Sequence, residues 1–370
     1  MADTSIEWTQ RTWNPIVGCS IVSPGCTNCY AMAIAERFKH AYVGRPFVGA
    51  PAEAMTRKVN GKPVWTGQLT LAPERTMLEP LRRRKPTTWF VNSMGDLFHE
   101  AVPDEWIDKV FAVMALTPQH TYQVLTKRSA RMRAYVETAR QRIIIGNHVA
   151  VSSGRNYYSR KLLGADWPWP LPNVWLGVSA EDQRRADERI PDLLATPAAI
   201  RFVSAEPLLG PIDFTGIATQ VSSGKHVNTG MLNALSGAAA WHPTGVDDQG
   251  RAFIQRRDFA KLDWIIVGGE SGREARPMHP DWARSIRDQC AAAGTAFFFK
   301  QWGEWAPSTP EQAHANPRSG WRCLAGHPHV AKAHELYPEN GAAFIEHIGK
   351  KRAGRLVDGV QHDAMPERPR

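Results

Sequence analysis

Six short apolar runs rich in β-branched and aromatic residues constrain this chain most: WFVNSM (89–94), YQVLTK (122–127), VWLGVS (174–179), IRFVSA (200–205), WIIVGG (264–269) and AFFFK (296–300). None alternates cleanly between apolar and polar positions, so each reads as a strand covered on both faces, as in a parallel sheet flanked by helices. Helical spacing fills the intervals. Trp106, Val110 and Val113 share one face, as do Trp282, Ile286 and Cys290 on a helix stopped by Gly294. Cys290 is therefore expected in the core. Strand, crossover helix and next strand repeat, which restricts the fold to a βα barrel or a doubly wound sheet.

Two stretches interrupt the repeat. Residues 140–172 contain IIIGNHVAVSSGRNYYSR and the Pro/Trp-rich DWPWPLP, and read as an insertion over one end. Residues 214–260 are rich in Gly, Ser and Thr and read as an excursion or small hairpin. The expected organisation is a barrel over 1–303 carrying both insertions, then a polar C-terminal extension over 304–370. That extension has a helical pattern near HELYPENGAAFIEHI and a disordered end, PERPR. At 370 residues the chain can bury a substantial core without covalent staples.

The start, MADTSIEW, has acidic residues where a signal peptide is basic, and no apolar run reaches the length of a membrane span. A soluble, cytoplasmic protein without membrane partners is expected. The net charge of +9 and a pI near 9.4 imply attraction to polyanions. Basic runs at Arg82–Lys85, Arg256–Arg257 and Lys350–Arg352, with 14 tryptophans, suit DNA or RNA; the plainer alternative is solvated faces and core indoles.

Three of the five cysteines, Cys19, Cys26 and Cys29, sit together in GCSIVSPGCTNCYA. This C-x6-C-x2-C spacing gathers thiolates at a loop-to-helix junction, and the helix that follows carries Tyr30, Ile34 and Phe38 in one stripe, with Glu36, Arg37 and Lys39 elsewhere on the surface. Soft thiolates select zinc or iron–sulfur clusters. Structural zinc needs a fourth ligand, from His, Cys290 or Cys323, whereas a 4Fe–4S cluster on three cysteines leaves one iron open for a small molecule. Unliganded thiols are the third reading.

Each strand runs directly into charged or small polar residues. Asp96 follows VNSMG, Lys127 ends YQVLT, Ser179 and Glu181 follow WLGV, Glu206 follows FVSA, and Glu270 with Ser271 follow IIVGG. In parallel barrels the functional groups occupy this C-terminal rim. Ser179 and Ser271 also suit helix caps. Glu206, before a proline at the end of a buried strand, is expected to bind a hydrogen-bond donor.

The ordered set WNPIVGCSIVSPGCTNCYA, VNSMGDLFHE, VLTKRS, LGVSAEDQ, FVSAEPLLGPID, DWIIVGGESGREARP and FFFKQWGEW resembles the phage Gp37/Gp68 family, a group related to radical S-adenosylmethionine (radical SAM) enzymes. It is also distantly similar to spore photoproduct lyase. The likeness runs from about residue 6 to 304, with an echo at GKKRAGRLVDG. It implies a partial (β/α)6 TIM-like barrel with a 4Fe–4S cluster on Cys19, Cys26 and Cys29 that binds S-adenosylmethionine. Reductive cleavage of that cofactor gives methionine and a 5′-deoxyadenosyl radical that abstracts hydrogen from a substrate. The first spacing departs from the commonest C-x3-C-x2-C pattern by having six residues.

By the same resemblance, Met94, Gly95 and Asp96 meet the methionyl amino group, and Ser179 and Glu181 suit the ribose hydroxyls. Glu206 and Glu270 face the cofactor or substrate, Lys127 pairs with a carboxylate or phosphate, and Lys300 and Gln301 join the rim. An electron donor such as flavodoxin or ferredoxin is implied. Three readings stay open at this point: a radical SAM enzyme acting on nucleic acid or a nucleotide-derived group, one acting on a small metabolite or peptide, and a zinc-stabilised, non-catalytic nucleic-acid-binding protein.

Overall fold

A computed structural model describes residues 4–39, 48–49, 51, 54–146, 168–223, 226–241, 255–312, 318, 320–323, 338 and 341–367. The chain divides into two compact units. One comprises Met1–Val178, Thr196–Arg201 and Glu367–Arg370; the other comprises Ser179–Ala195 and Phe202–Pro366.

Seven strands form the parallel α/β framework: β1 (Arg11–Trp13), β2 (Thr88–Val91), β3 (Thr121–Thr126), β4 (Val174–Ser179), β5 (Ile200–Ala205), β6 (Trp264–Gly268) and β7 (Ala296–Gln301). In the first unit β1, β2, β3 and β4 pair in chain order, each pair parallel. In the second, β5, β6 and β7 do the same. All six strands read from the sequence are present, five of them within a residue of their expected bounds; the first ends at Val91, three residues before the expected Met94. β1 was not legible, because three residues, Arg-Thr-Trp, carry no periodicity.

The apolar runs are buried as their composition demands. Every residue of β4 and of β6 is buried, and Trp13, Trp89, Tyr122 and Trp264 have no exposed surface. Each such side chain contributes on the order of 1.5–3 kcal/mol on burial. The principal helices are α1 (Tyr30–Phe38), α2 (Asp104–Leu116), α3 (Ser129–Gly146), α4 (Gln183–Ala195) and α5 (Pro280–Ala293). Val110 and Val113 of α2 are buried, as are Trp282, Ile286 and Cys290 of α5, which ends on Gly294 in the left-handed region at φ 66°. Cys290 is a core residue.

Three expectations need correction. The Tyr30, Ile34 and Phe38 stripe of α1 faces out, with 52%, 37% and 44% exposure. The opposite face packs instead, because Ala31 and Met32 fit against Met55 and Trp65. In the tail, the described part of the expected helix is a strand, Ala342–His347, which pairs antiparallel with Trp305–Pro307 and Gly320–Cys323. Strand partners on both sides outweigh the helical spacing there. Within 214–260 the excursion is larger than a hairpin: Ile217–Ser223, His226–Leu232, Ala238–Trp241 and Gln255–Asp258 form a four-stranded antiparallel sheet.

Most of the expected insertion at 140–172 lies outside the described residues, as do the last three residues of PERPR. Before that end, the tail returns to the second unit. His362 O accepts from Phe299 N at 2.9 Å, and Ala364 O accepts from the indole of Trp264 at 2.9 Å. No helix among the described residues is long and apolar enough to cross a membrane.

Candidate functional site

In the first unit a pair of glycines sets the geometry. Gly18 has φ +105°, and a Cβ there would stand 2.1 Å from Gln68 O; a Cβ on Gly95 would stand 2.9 Å from Gly18 O. With no side chains in the way, Gly18 and Gly95 form a parallel bridge, and Gly18 N donates to Met94 O at 3.0 Å. The loop bearing Cys19 therefore lies directly on the Met94–Gly95–Asp96 turn that follows β2. Asn14 fixes the same turn, its Oδ1 accepting from Met94 N at 2.9 Å and Ser93 Oγ at 3.1 Å.

Cys26 ends a 3-10 turn, Pro24–Cys26, and Cys29 occupies the N-cap position of α1. The trio thus stands at a loop-to-helix junction, as its spacing implies. All three are free thiols; Cys26 is buried and the others are half-buried. Cys19, Cys29 and Met94 pack against the same apolar cluster. Burial pushes the Cys19 thiol up to about 12 and raises that of Cys29; the charge of Arg128 opposes the first shift and that of Lys127 the second. Lys127 thus lies close enough to act on Cys29 electrostatically, while its backbone N donates to Asp96.

Asp96 is 5% exposed and accepts four hydrogen bonds: Phe98 N (3.0 Å) and Thr126 Oγ1 (2.7 Å) on Oδ1, and Lys127 N (3.0 Å) and Arg128 Nη1 (3.1 Å) on Oδ2. Its lone pairs are fully used, so this carboxylate ties the ends of β2 and β3 together, and an incoming ammonium would compete with Arg128. Arg128, Ser20 and His99 were missed by sequence reasoning. Arg128 also reaches Cys19 Sγ, Ser20 and Glu100, and Ser20 Oγ meets His99 Nε2 at 2.9 Å. The available signal was an arginine one residue past a buried strand end.

In the second unit three carboxylates follow strand ends, each with a basic partner. Glu181 has no exposed side chain and accepts from Arg189 Nη1 at 3.0 Å; the same nitrogen donates to Ser179 O at 2.6 Å. Glu270 is 6% exposed and takes a two-pronged contact from Arg276, Nε at 2.9 Å and Nη2 at 2.6 Å. Glu206 accepts from Lys300 Nζ at 2.7 Å, and Ser179 Oγ donates to Glu206 O at 3.4 Å.

Local backbone explains the Glu206 pair. The β6–β7 register shifts at Val267/Gly268, which frees Lys300 from the ladder, and the glycine at 268 leaves the space where a Cβ would stand 3.2 Å from Glu206 Cδ. Gln301 Nε2 donates to Ser271 Oγ at 2.9 Å, so both rim residues join strand-end groups. Side-chain exposure separates the roles: Glu206 is 18% exposed against 5% for Glu270 and none for Glu181. Of the three carboxylates, Glu206 is the one most open to a ligand. Glu181 with Arg189 is a buried ion pair, whereas the buried Glu270 is met by an Arg276 side chain that is 34% exposed.

The DUF5131 family, described as protein of unknown function, matches residues 3–366. The chain belongs to this family. No curated protein and no solved structure matches it.

For this DUF5131 member the fit of an iron–sulfur cluster rests on donor chemistry. Three free thiols share one junction, each of Cys19 and Cys29 is coupled electrostatically to Cys26, and Cys19 Sγ already accepts an N–H from Arg128 at 3.5 Å. That is a soft donor set with a hydrogen bond to sulfur, which suits such a cluster. Among the described residues no three His, Cys, Asp or Glu side chains stand as a ready-made metal cage. His99, the histidine beside Ser20, has both ring nitrogens engaged and so is not free as a fourth ligand for zinc.

Proposed function

We propose that this DUF5131 protein is a radical SAM enzyme whose cluster ligands are Cys19, Cys26 and Cys29. The observation that carries the reading is the apposition of the thiol-bearing loop and the Met94–Gly95–Asp96 turn through Gly18 and Gly95, in an α/β chain whose parallel strands pair in chain order. That order supports a partial (β/α)6 TIM-like barrel. Bound at the trio, a 4Fe–4S cluster would supply the low-potential electron for reductive cleavage of S-adenosylmethionine.

The chain's own residues have separable tasks. Asp96 and Arg128 hold the turn in place, so that Met94 and Gly95 present backbone to the cofactor's methionyl end. The Lys127 ammonium biases the neighbourhood toward anionic sulfur and carboxylate. Glu206, paired with Lys300, would accept hydrogen bonds from a substrate hydroxyl or amine, with Ser179, Glu181 and Glu270 at the neighbouring strand ends of the same unit. The substrate class we favour is nucleic acid or a nucleotide-derived group, on the strength of the +9 charge. An electron donor such as flavodoxin or ferredoxin completes the system.

Anaerobic reconstitution followed by metal analysis tests the metal assignment. The expected result is a brown protein with iron and sulfide near four each per chain, bleached in Cys29→Ala. One zinc per chain, with a colourless preparation, would instead establish the zinc-stabilised, non-catalytic alternative.

A further inference from the structure

Cys26 and Cys29 are held by local structure, the 3-10 turn and the start of α1, but Cys19 belongs to neither element. Beside one local contact, Sγ to Ser20 O at 3.5 Å, its restraints come from afar. Cys19 O accepts from Gly67 N at 3.0 Å, and its Sγ accepts from Arg128 Nη1 at 3.5 Å across 109 residues of sequence. The neighbouring Ser20 is held by the same guanidinium: Nη2 donates to Ser20 O at 3.2 Å and to Ser20 Oγ at 2.8 Å. His99 Nδ1 accepts from Ala101 N, so Nε2 carries the ring proton and donates to Ser20 Oγ at 2.9 Å. Ser20 is thus fixed as a double acceptor, and His99 is in the wrong tautomer to activate it as a nucleophile.

The remaining N–H groups of Arg128 are also engaged, Nη1 with Asp96 Oδ2 at 3.1 Å and Nε with both Glu100 oxygens at 3.3 Å. A guanidinium has five N–H donors, and all five have acceptors here. With 4% of its side chain exposed, Arg128 has neither donor nor access left for a substrate anion.

We infer that Arg128 is a positioning residue for the cluster, clamping Cys19 in place of the short local spacing that the chain lacks and setting the electronic environment of that sulfur. The inference rests on the cluster reading above. A cation and an N–H directed at a ligating sulfur stabilise the added electron, so they raise the reduction potential.

The test compares reconstituted wild type, Arg128→Gln and Arg128→Lys by midpoint potential and by the rate of iron loss to a chelator. Arg128→Gln should shift the potential negative by roughly tenfold in the reduction equilibrium, about 59 mV for a one-electron couple, and lose iron several-fold faster. Arg128→Lys keeps the charge but has three donors, so it should recover most of the potential and little of the iron retention. Wild-type potential and wild-type iron retention in Arg128→Gln would overturn the inference. Absence of iron and sulfide from wild type itself would defeat the cluster reading instead. Should Arg128→Gln fail to fold, Ser20→Ala leaves Arg128 on Cys19 and removes its hold on the neighbouring hydroxyl. Faster iron loss at unchanged potential then supports the clamp, and wild-type iron loss overturns it.

Discussion

Single atoms decide whether the thiol loop can lie where it does. Gly18→Ala would place a methyl group 2.1 Å from Gln68 O at a φ of +105°, whereas Gly67, at φ +84°, faces open space. Gly18→Ala should therefore cost well over about 2 kcal/mol, and Gly67→Ala only the conformational strain of about 1 kcal/mol; urea midpoints of the two variants measure the difference. The carboxylates also separate at this scale. Glu181→Gln strands the buried Arg189 charge and should cost about 3–5 kcal/mol, while Glu206→Gln, at the most open of the three carboxylates, should leave the thermal midpoint nearly unchanged and weaken ligand binding. Equal losses of stability would contradict the division of roles. The cysteine trio and Glu206 were legible because their neighbours in sequence announce them. Arg128, Ser20 and His99 were not, since their contacts join residues 79 to 109 positions apart, and spacing arguments reach only a turn or two.

Secondary structure elements were read well where burial made the pattern extreme. β4 and β6, buried at every position, had near-continuous apolar runs, but α1 misled because its apolar stripe is the exposed one and the packed face is made by Ala31 and Met32. Helix α5 offers a pH test. Its N-cap residue, His279, is 1% exposed; Nδ1 accepts from Asp281 N at 3.1 Å, and Nε2 donates to Gly341 O at 3.1 Å. Burial lowers the His279 pKa below its ordinary 6.5, partly offset by Asp281. The unfolded chain therefore takes up a proton more readily, so this contribution to stability is present above pH 6.5 and is lost as pH falls below it toward the folded-state value. His279→Asn keeps a capping acceptor that does not titrate. Between pH 7.5 and 5.5 it should show a shallower loss of the urea midpoint than wild type, and an identical slope would refute the assignment.

At the scale of the molecule, charge and covalent order speak most directly. A net charge of +9 predicts binding to single-stranded DNA or RNA that weakens at least tenfold between 50 and 200 mM salt through counterion release; fluorescence anisotropy with labelled oligonucleotides checks it, and no binding at low salt would shift the substrate class to a small metabolite or peptide. The parallel α/β class was legible from the sequence. The four-stranded antiparallel sheet and the tail's return to Trp264 and Phe299 were not, because both depend on strand partners remote in sequence. The central claim remains chemical. The most direct measurement is 5′-deoxyadenosine formation from S-adenosylmethionine by the anaerobically reconstituted protein under dithionite. The account predicts release of 5′-deoxyadenosine and methionine by wild type and none by Cys29→Ala; a wild-type protein that carries a full complement of iron and sulfide yet cleaves no S-adenosylmethionine would contradict it.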